Sequence, residues 1–439
     1  MLIFRQYQKP VTRMHQSGPA NVCNPIFAII PMVRGFLPRR SIRTPDARAG
    51  QNRSDGERHA STIPHSTRQP GAPMKLKLDW TLVTPIAALV VLGAAAMIHS
   101  NALLVVSAIA LALAVFAAVH HAEVVAHRVG EPFGTLVLAI AVTVIEVALI
   151  VSVMLSGGPE KAGLPRDTVF AAIMICSGAI VGLCLLVGSL RHHVQEFQLQ
   201  GASAALAILC ALSVLTMVLP NFTSTIPGPA LSTSQLIFVG VISLVLYVTF
   251  VFVQTIRHRD YFLPFEPVSV TEGRDADEED EAPHAPPGNG EAWLALVFLL
   301  LSLVSVVGLA KLLSPAVEAG VAAAGAPEAV VGVVIAALVL LPEGLAALRA
   351  ARANRLQTSL NLALGSALAS IGLTIPTVAV VSIVIGQPIE LGLAPKEITM
   401  LALTLLVSVI TLGTGRSTVL QGVVHLVIFA SFLFLSVVP

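Results

Sequence analysis

The sequence predicts an all-α polytopic membrane protein of eleven transmembrane helices, one leading helix followed by two inverted five-helix repeats. Three observations lead there. Of 439 residues, 55% are hydrophobic and 12% charged, at a mean hydropathy of +0.84. Apolar runs of about 20 residues, enough to cross a hydrocarbon core of about 30 Å, recur along the chain. A single acidic stretch divides those runs, leaving five on each side once the first is set apart. A soluble globular fold is excluded by this composition, and a net charge of +1 leaves no nucleic-acid partner to expect.

Taken in order, residues 1–73 hold 11 Lys+Arg against 3 Asp+Glu and are rich in Arg, Ser, Pro and Gly. Prolines and an arginine interrupt their one apolar stretch, so they read as a basic disordered extension: a membrane-surface tail, a targeting segment, or a part outside the mature protein. Met74-Lys75-Leu76-Lys77 ahead of the first span resembles a natural start. The leading helix occupies 74–100, the first repeat 101–265, an acidic linker 266–290 and the second repeat 291–439. The spans fall near 81–98, 102–119, 134–156, 168–190, 203–219, 235–254, 292–312, 328–348, 359–386, 397–413 and 417–437.

Charges in the connecting segments orient these spans. Lys75, Lys77, Arg128, Arg191, Arg257, Arg259, Arg274, Arg349, Arg352, Arg355 and Arg416 share the side of the first span's start. Lys161, Arg166, Lys311 and Lys396 lie on the other. That bias puts the N-terminus in the cytoplasm of a multi-pass protein, expected in a bacterial inner membrane. Between 272 and 281, Arg274 is the one base among seven acids, a solvated linker by composition and a weak calcium-binding loop as the rival. Cys176, Cys184 and Cys210 fall within spans and Cys23 in the tail, which gives no disulfide framework and no zinc signature.

Two residues break the apolar pattern at bilayer depth. Glu146 lies in the third span and Glu343 in the eighth, the second span of each repeat. A carboxylate there costs on the order of 3 kcal/mol and as a rule lines a polar path or a bound cation. Pro342 beside Glu343 removes an N–H and is expected to break the helix, which a wet cavity tolerates and lipid does not. Hard cations such as calcium take several oxygen ligands, and two carboxylates with no cation between them cannot both stay ionised. Protons and metal therefore compete for the same oxygens, which is the chemistry of exchange. Thr143, one turn before Glu146, and Ser177, Asn361, Ser366 and Ser370 on the small-residue spans that follow are candidate lining residues.

His120, Glu123 and His127 recur at i, i+3 and i+7, on one helical face at the cytoplasmic mouth. They suit a proton relay, since histidine titrates near neutrality, or an interfacial helix end. As a metal site they would make the chain an intramembrane metal-dependent hydrolase, the alternative reading. The cluster lacks a His-Glu-x-x-His spacing, and no nucleophile elbow is present.

Leu341-Pro342-Glu343-Gly344-Leu345-Ala346-Ala347-Leu348, then Asn361 through Ser370, resembles the second signature repeat of the calcium/cation antiporter superfamily. Residues 134–190, with Glu146 at the acidic position, resemble the first repeat, and Thr414-Gly415-Arg416-Ser417 the C-terminal segment of its bacterial members. His120-His121-Ala122-Glu123 and His127 through Pro132 resemble a stretch those exchangers carry ahead of the first repeat. The resemblance implies a secondary-active antiporter that moves calcium, and also sodium and potassium, out against protons. It implies Glu146 and Glu343 as cation and proton ligands, no cofactor beyond the transported cation, and no enzymatic activity. In the superfamily's Gly-Asn-x-x-Glu core the asparagine positions hold Thr143 and Leu340 here, which predicts a looser site that also passes monovalent ions. Inorganic cations, protons and membrane lipid are the expected partners; oligomeric state is left open.

Overall fold

The computed structural model describes residues 80–98, 100–130, 133–157, 161–263 and 287–438, with backbone alone at 133–136, 138–139 and 156–157. The basic extension 1–73, Glu131-Pro132 and the acidic residues 272–281 lie outside the described residues.

Ten of the described helices are long and apolar enough to cross a membrane, and α3, with a shorter apolar stretch at Ile140–Leu155, makes the eleventh: α1 (Trp80–Met97), α2 (Asn101–Val129), α3 (Phe133–Gly157), α4 (Leu164–His192), α5 (Leu199–Phe222) and α6 (Thr233–Arg257). After the linker come α7 (Asn289–Ala323), α8 (Ala329–Arg352), α9 (Leu356–Ile385), α10 (Pro395–Leu412) and α11 (Val419–Val437). Five crossings per set is an odd number, so α7–α11 run through the membrane opposite to α2–α6, the topology of an inverted repeat. Matching signals end the two sets. Ser232 caps α6 and Thr418 caps α11, each in a capping box with a glutamine three residues on, Gln235 and Gln421.

Two elements outrun their expected ends. Helix α2 continues ten residues past 119 and α7 eleven past 312, through Pro315, to 29 and 35 residues. At 1.5 Å per residue these are about 43 and 52 Å long, more than a bilayer core needs. Apolar length therefore marks the hydrocarbon, not the helix. Pro342 does not break α8 either, which stays helical from Ala329 to Arg352. The interruptions lie elsewhere: α4 turns π-helical at Ile175–Ile180 and α9 at Ser370–Thr374, the equivalent span of each set, and α5 and α6 do so toward their ends, at Val214–Val218 and Val253–Arg257. π turns free carbonyls and reset side-chain direction, and they concentrate at functional sites.

Packing forms two main apolar cores. One joins α4, α5, α6, α9, α10 and α11; the other joins α1, α2 and α7; α3 and α8 contribute to both. In the first, α4 and α11 nearly touch: a Cβ on Gly422 would lie 2.5 Å from the Leu186 amide nitrogen, where only glycine fits. In the second, α1 is tied by a proline consequence. Pro85 has no N–H to bond the Thr81 carbonyl one turn back. Buried His121, on α2, donates to that carbonyl through Nε2 at 3.0 Å. The Pro85 carbonyl in turn accepts from Ser305 of α7 at 3.3 Å. We expect His121→Leu to orphan the Thr81 carbonyl and lower stability by about 1–3 kcal/mol. Pro85→Ala restores the helical N–H and should recover most of that loss in a double-mutant cycle followed by thermal unfolding in detergent. Equal losses with and without Pro85 would show that His121 acts by packing alone.

Candidate cation site

Side chains from α2, α3, α6, α8 and α9 enclose a cavity of about 440 Å³. Its floor holds Glu146 from α3 and Glu343 from α8, 2% and 8% exposed. The lining climbs toward the face where α2, α6 and α8 end and α9 begins, through Glu123, Gln254, Thr255, Arg259 and Thr358. Among the described residues the opposite face contributes none to the lining. Ion pairs knit that face: Lys161 bridges Glu318 at 3.3 Å and Glu328 at 3.2 Å, and Arg166 bonds Asp167 at 2.8 Å and the Gly392 carbonyl at 3.1 Å. Among the described residues the cavity thus opens toward the side of Glu123 and Arg259.

The carboxylates owe their meeting to helix order. Each comes from the second helix of its own set, and inversion runs those two helices in opposite directions past the shared cavity. Glu146 Oε2 accepts from the Ser370 hydroxyl at 2.7 Å, across the π turn of α9. Glu146 Oε1 and both oxygens of Glu343 are buried with no hydrogen-bond partner. Three such oxygens in one cavity form a set of acceptors with one donor among them. Buried carboxylates in that condition need a proton or a cation, since an unmatched buried charge costs several kcal/mol. Glu343 lies within electrostatic reach of both Glu146 and Glu123, and Cys176 on the π turn of α4 within reach of both floor carboxylates.

Of the other residues singled out from sequence, Thr143, Asn361, Ser366 and Ser370 line this cavity. Ser177 does not; it is fully buried in α4, and its carbonyl accepts from His425 Nδ1 at 2.7 Å. Asn361 is drawn toward Phe262, whose carbonyl accepts from its Nδ2 at 2.6 Å, and its Oδ1 accepts from Gln357 at 3.0 Å. His120 and His127 are exposed on α2 outside the lining, while Glu123, also exposed, reaches the mouth. Among the described residues no three His, Cys, Asp or Glu side chains are placed to hold a metal, so the hydrolase reading finds no metal cluster. Tyr247, Phe250 and Phe262 form a wall that sequence alone did not mark. The only trace is Gln254-Thr255, a polar pair at the end of an otherwise apolar span.

We expect Ser370→Ala to leave Glu146 without its donor. A hydroxyl–carboxylate bond contributes about 1.5–3 kcal/mol, so calcium affinity or exchange rate should change at least fivefold. Ser366→Ala, whose hydroxyl makes no such bond to Glu146, should change either by less than twofold. Equal effects at both positions, measured by calcium titration and proteoliposome exchange, would contradict this geometry.

Comparison with known proteins agrees with the fold and supplies a family. The chain is 34% identical over 361 residues to the sodium-potassium/proton antiporter ChaA of Escherichia coli, covering 81% of this chain and 95% of that one. It is 50% identical over 365 residues to the putative ionic transporter y4hA of Sinorhizobium fredii, covering 82% and 96%. The solved structure of native YfkE superposes with a TM-score of 0.63 at 17% identity, covering 82% of this chain and all of that one, a likeness of fold. These relatives are transporters rather than enzymes. The model of the sodium/calcium exchanger protein family matches at 99–256 and again at 294–438, once in each inverted half, and the chain belongs to that family.

Proposed function

We propose that this protein is a secondary-active cation/proton antiporter that expels calcium, and also sodium and potassium, in exchange for entering protons. The observation that carries the reading is the trio of unpartnered carboxylate oxygens at the closed end of a one-sided cavity. Two carboxylates match a divalent charge, and hard oxygen ligands suit calcium. The same oxygens, protonated, are neutral, so either occupant removes the charge that would otherwise hold the site in place. Glu146 and Glu343 serve as cation and proton ligands; Thr143, Ser366 and Ser370 line the site. A monovalent ion together with one proton neutralises the pair equally well, which fits the sodium-potassium/proton name of the E. coli relative.

The cavity opens on the side that carries Arg349, Arg352, Arg355 and Arg416, which the positive-inside rule assigns to the cytoplasm of a bacterial inner membrane. The geometry is then that of the inward-open state, with Glu123 at its mouth as the carboxylate first met by an arriving ion. In this reading His120 and His127, one turn to either side of Glu123, relay protons to and from it.

Purified full-length protein in proteoliposomes with an acidic lumen tests the reading. Calcium, sodium or potassium added outside should each discharge the proton gradient, and choline should not. A gradient that survives all three ions would refute the antiporter. Discharge by sodium and potassium but not calcium would refute the calcium assignment alone.

A further inference from the structure

Among the described residues α11 lines no part of the cavity, yet it packs closely on the stretch of α4 that backs the floor. In the π turn Ile175–Ile180 the Val181 amide bonds the carbonyls of Cys176 and Gly178 and passes over the one between them, that of Ser177. A buried carbonyl without a donor has given up its bonds to water and regained none. His425 of α11 supplies the donor, its Nδ1 lying 2.7 Å from the Ser177 oxygen. A carbonyl only accepts, so Nδ1 carries the hydrogen. The side chain is 1% exposed and its Nε2 has no partner, so the whole hydrogen-bonding role of this ring is that one contact. Three glycines let the two helices close around it. A Cβ on Gly178 would lie 3.0 Å from that of Phe429, one on Gly182 3.0 Å from that of His425, and one on Gly422 2.5 Å from the Leu186 nitrogen.

What α4 presents to the two carboxylates depends on the register of this turn. A π turn inserts one residue into an α-helix, so relaxing it to α would rotate the side chains beyond it by about 100°. Two contacts with the site would then shift. Ile180, which ends the turn, rests on α8 next to Glu343: a Cβ on Gly344 would lie 3.3 Å from Ile180 Cδ1. Cys176 lies within electrostatic reach of Glu146 and Glu343. The equivalent turn of α9 is fixed from the site itself, by the bond from Ser370 to Glu146. The Ser177 hydroxyl, in contrast, is buried without a partner. We propose that His425 is a positioning residue for cation binding: by holding the Ser177 carbonyl it keeps the π register of α4, and with it the support behind Glu343. It touches neither carboxylate and acts through α4 alone. The proposal rests on reading the two glutamates as a cation site.

Calorimetric titration of the purified full-length protein with calcium tests it. His425→Leu removes the donor and should raise the calcium dissociation constant at least fivefold, with the number of ions bound per chain unchanged. His425→Asn, whose amide nitrogen falls near the place of Nδ1, should return the constant to within twofold of the wild type. His425→Gln carries its donor one bond farther out and should not. A packing role alone would lower the fraction of protein that binds, leave the affinity of the rest unchanged, and treat the two amide variants alike. That pattern would overturn the proposal, as would an unaltered dissociation constant in His425→Leu or a wild type that binds no cation. Should His425→Leu not assemble, the comparison of His425→Asn with His425→Gln carries the same test. Hydrogen–deuterium exchange across residues 175–182 reads the turn directly, and should run at least fivefold faster in His425→Gln than in His425→Asn. Equal exchange would mean that the turn keeps its register without the bond, and would overturn the proposal. A wild type that binds calcium but moves no protons in proteoliposomes would refute the antiporter reading alone, with the affinity comparison still decisive for His425.

Discussion

Glu343→Gln is expected to reduce exchange at least hundredfold, with the protein still inserted and folded. The amide keeps the volume of the side chain and one carbonyl oxygen but carries no charge and takes no proton at neutral pH. Both Glu343 oxygens are buried without a partner, so the substitution loses no existing hydrogen bond. What it removes is half of the charge that, in the proposed mechanism, balances a divalent ion. Glu146→Gln should be comparably inactive for the same reason. It differs in one respect: its amide oxygen can go on accepting from the Ser370 hydroxyl. Rates of calcium-driven proton movement in proteoliposomes, beside detergent chromatography to establish folding, decide the matter. Retention of more than a tenth of the wild-type rate in either variant would remove the carboxylate pair from the mechanism.

Calcium binding to the purified wild-type protein should release protons, between one and two per ion. In the proposed mechanism cation and proton use the same oxygens, so binding the first expels the second, and affinity falls as pH falls. The sign follows from mass action: at low pH the carboxyls hold protons that calcium must displace. In weakly buffered detergent solution an indicator dye would record acidification on each calcium addition. Glu343→Gln should release about one proton fewer and bind calcium at least a hundredfold more weakly. Calcium binding without proton release anywhere between about pH 6 and pH 9 would separate the two occupants and end the competition mechanism.

How far the sequence carried depended on which force acted at each residue. Burial of apolar surface in lipid is a run-length property, and all eleven spans were legible from it. Glu146 and Glu343 were legible because a carboxylate in such a run has few inexpensive explanations. Helix ends were not, because α2 and α7 continue into water, where backbone hydrogen bonding no longer depends on hydrophobicity. Pro342 reads locally as a break, yet α8 stays helical through it, as α7 does through Pro315 and α1 through Pro85. Local reading also favoured the exposed pair His120 and His127 over His121, the one histidine of the three that the fold buries. The carbonyl that holds it belongs to another helix, forty residues away.

By itself, then, the chain determined an eleven-span membrane protein in two opposed sets of five, with one acid in the second helix of each. Those follow from composition and period, which the bilayer imposes span by span. Tertiary structure alone decided that both acids share a floor, that Ser370 rather than Ser177 supplies the hydroxyl, and that aromatic rings from α6 stand over them. Such outcomes depend on the π turns and on glycine-to-backbone approaches, contacts between residues hundreds of positions apart, and no local pattern encodes them.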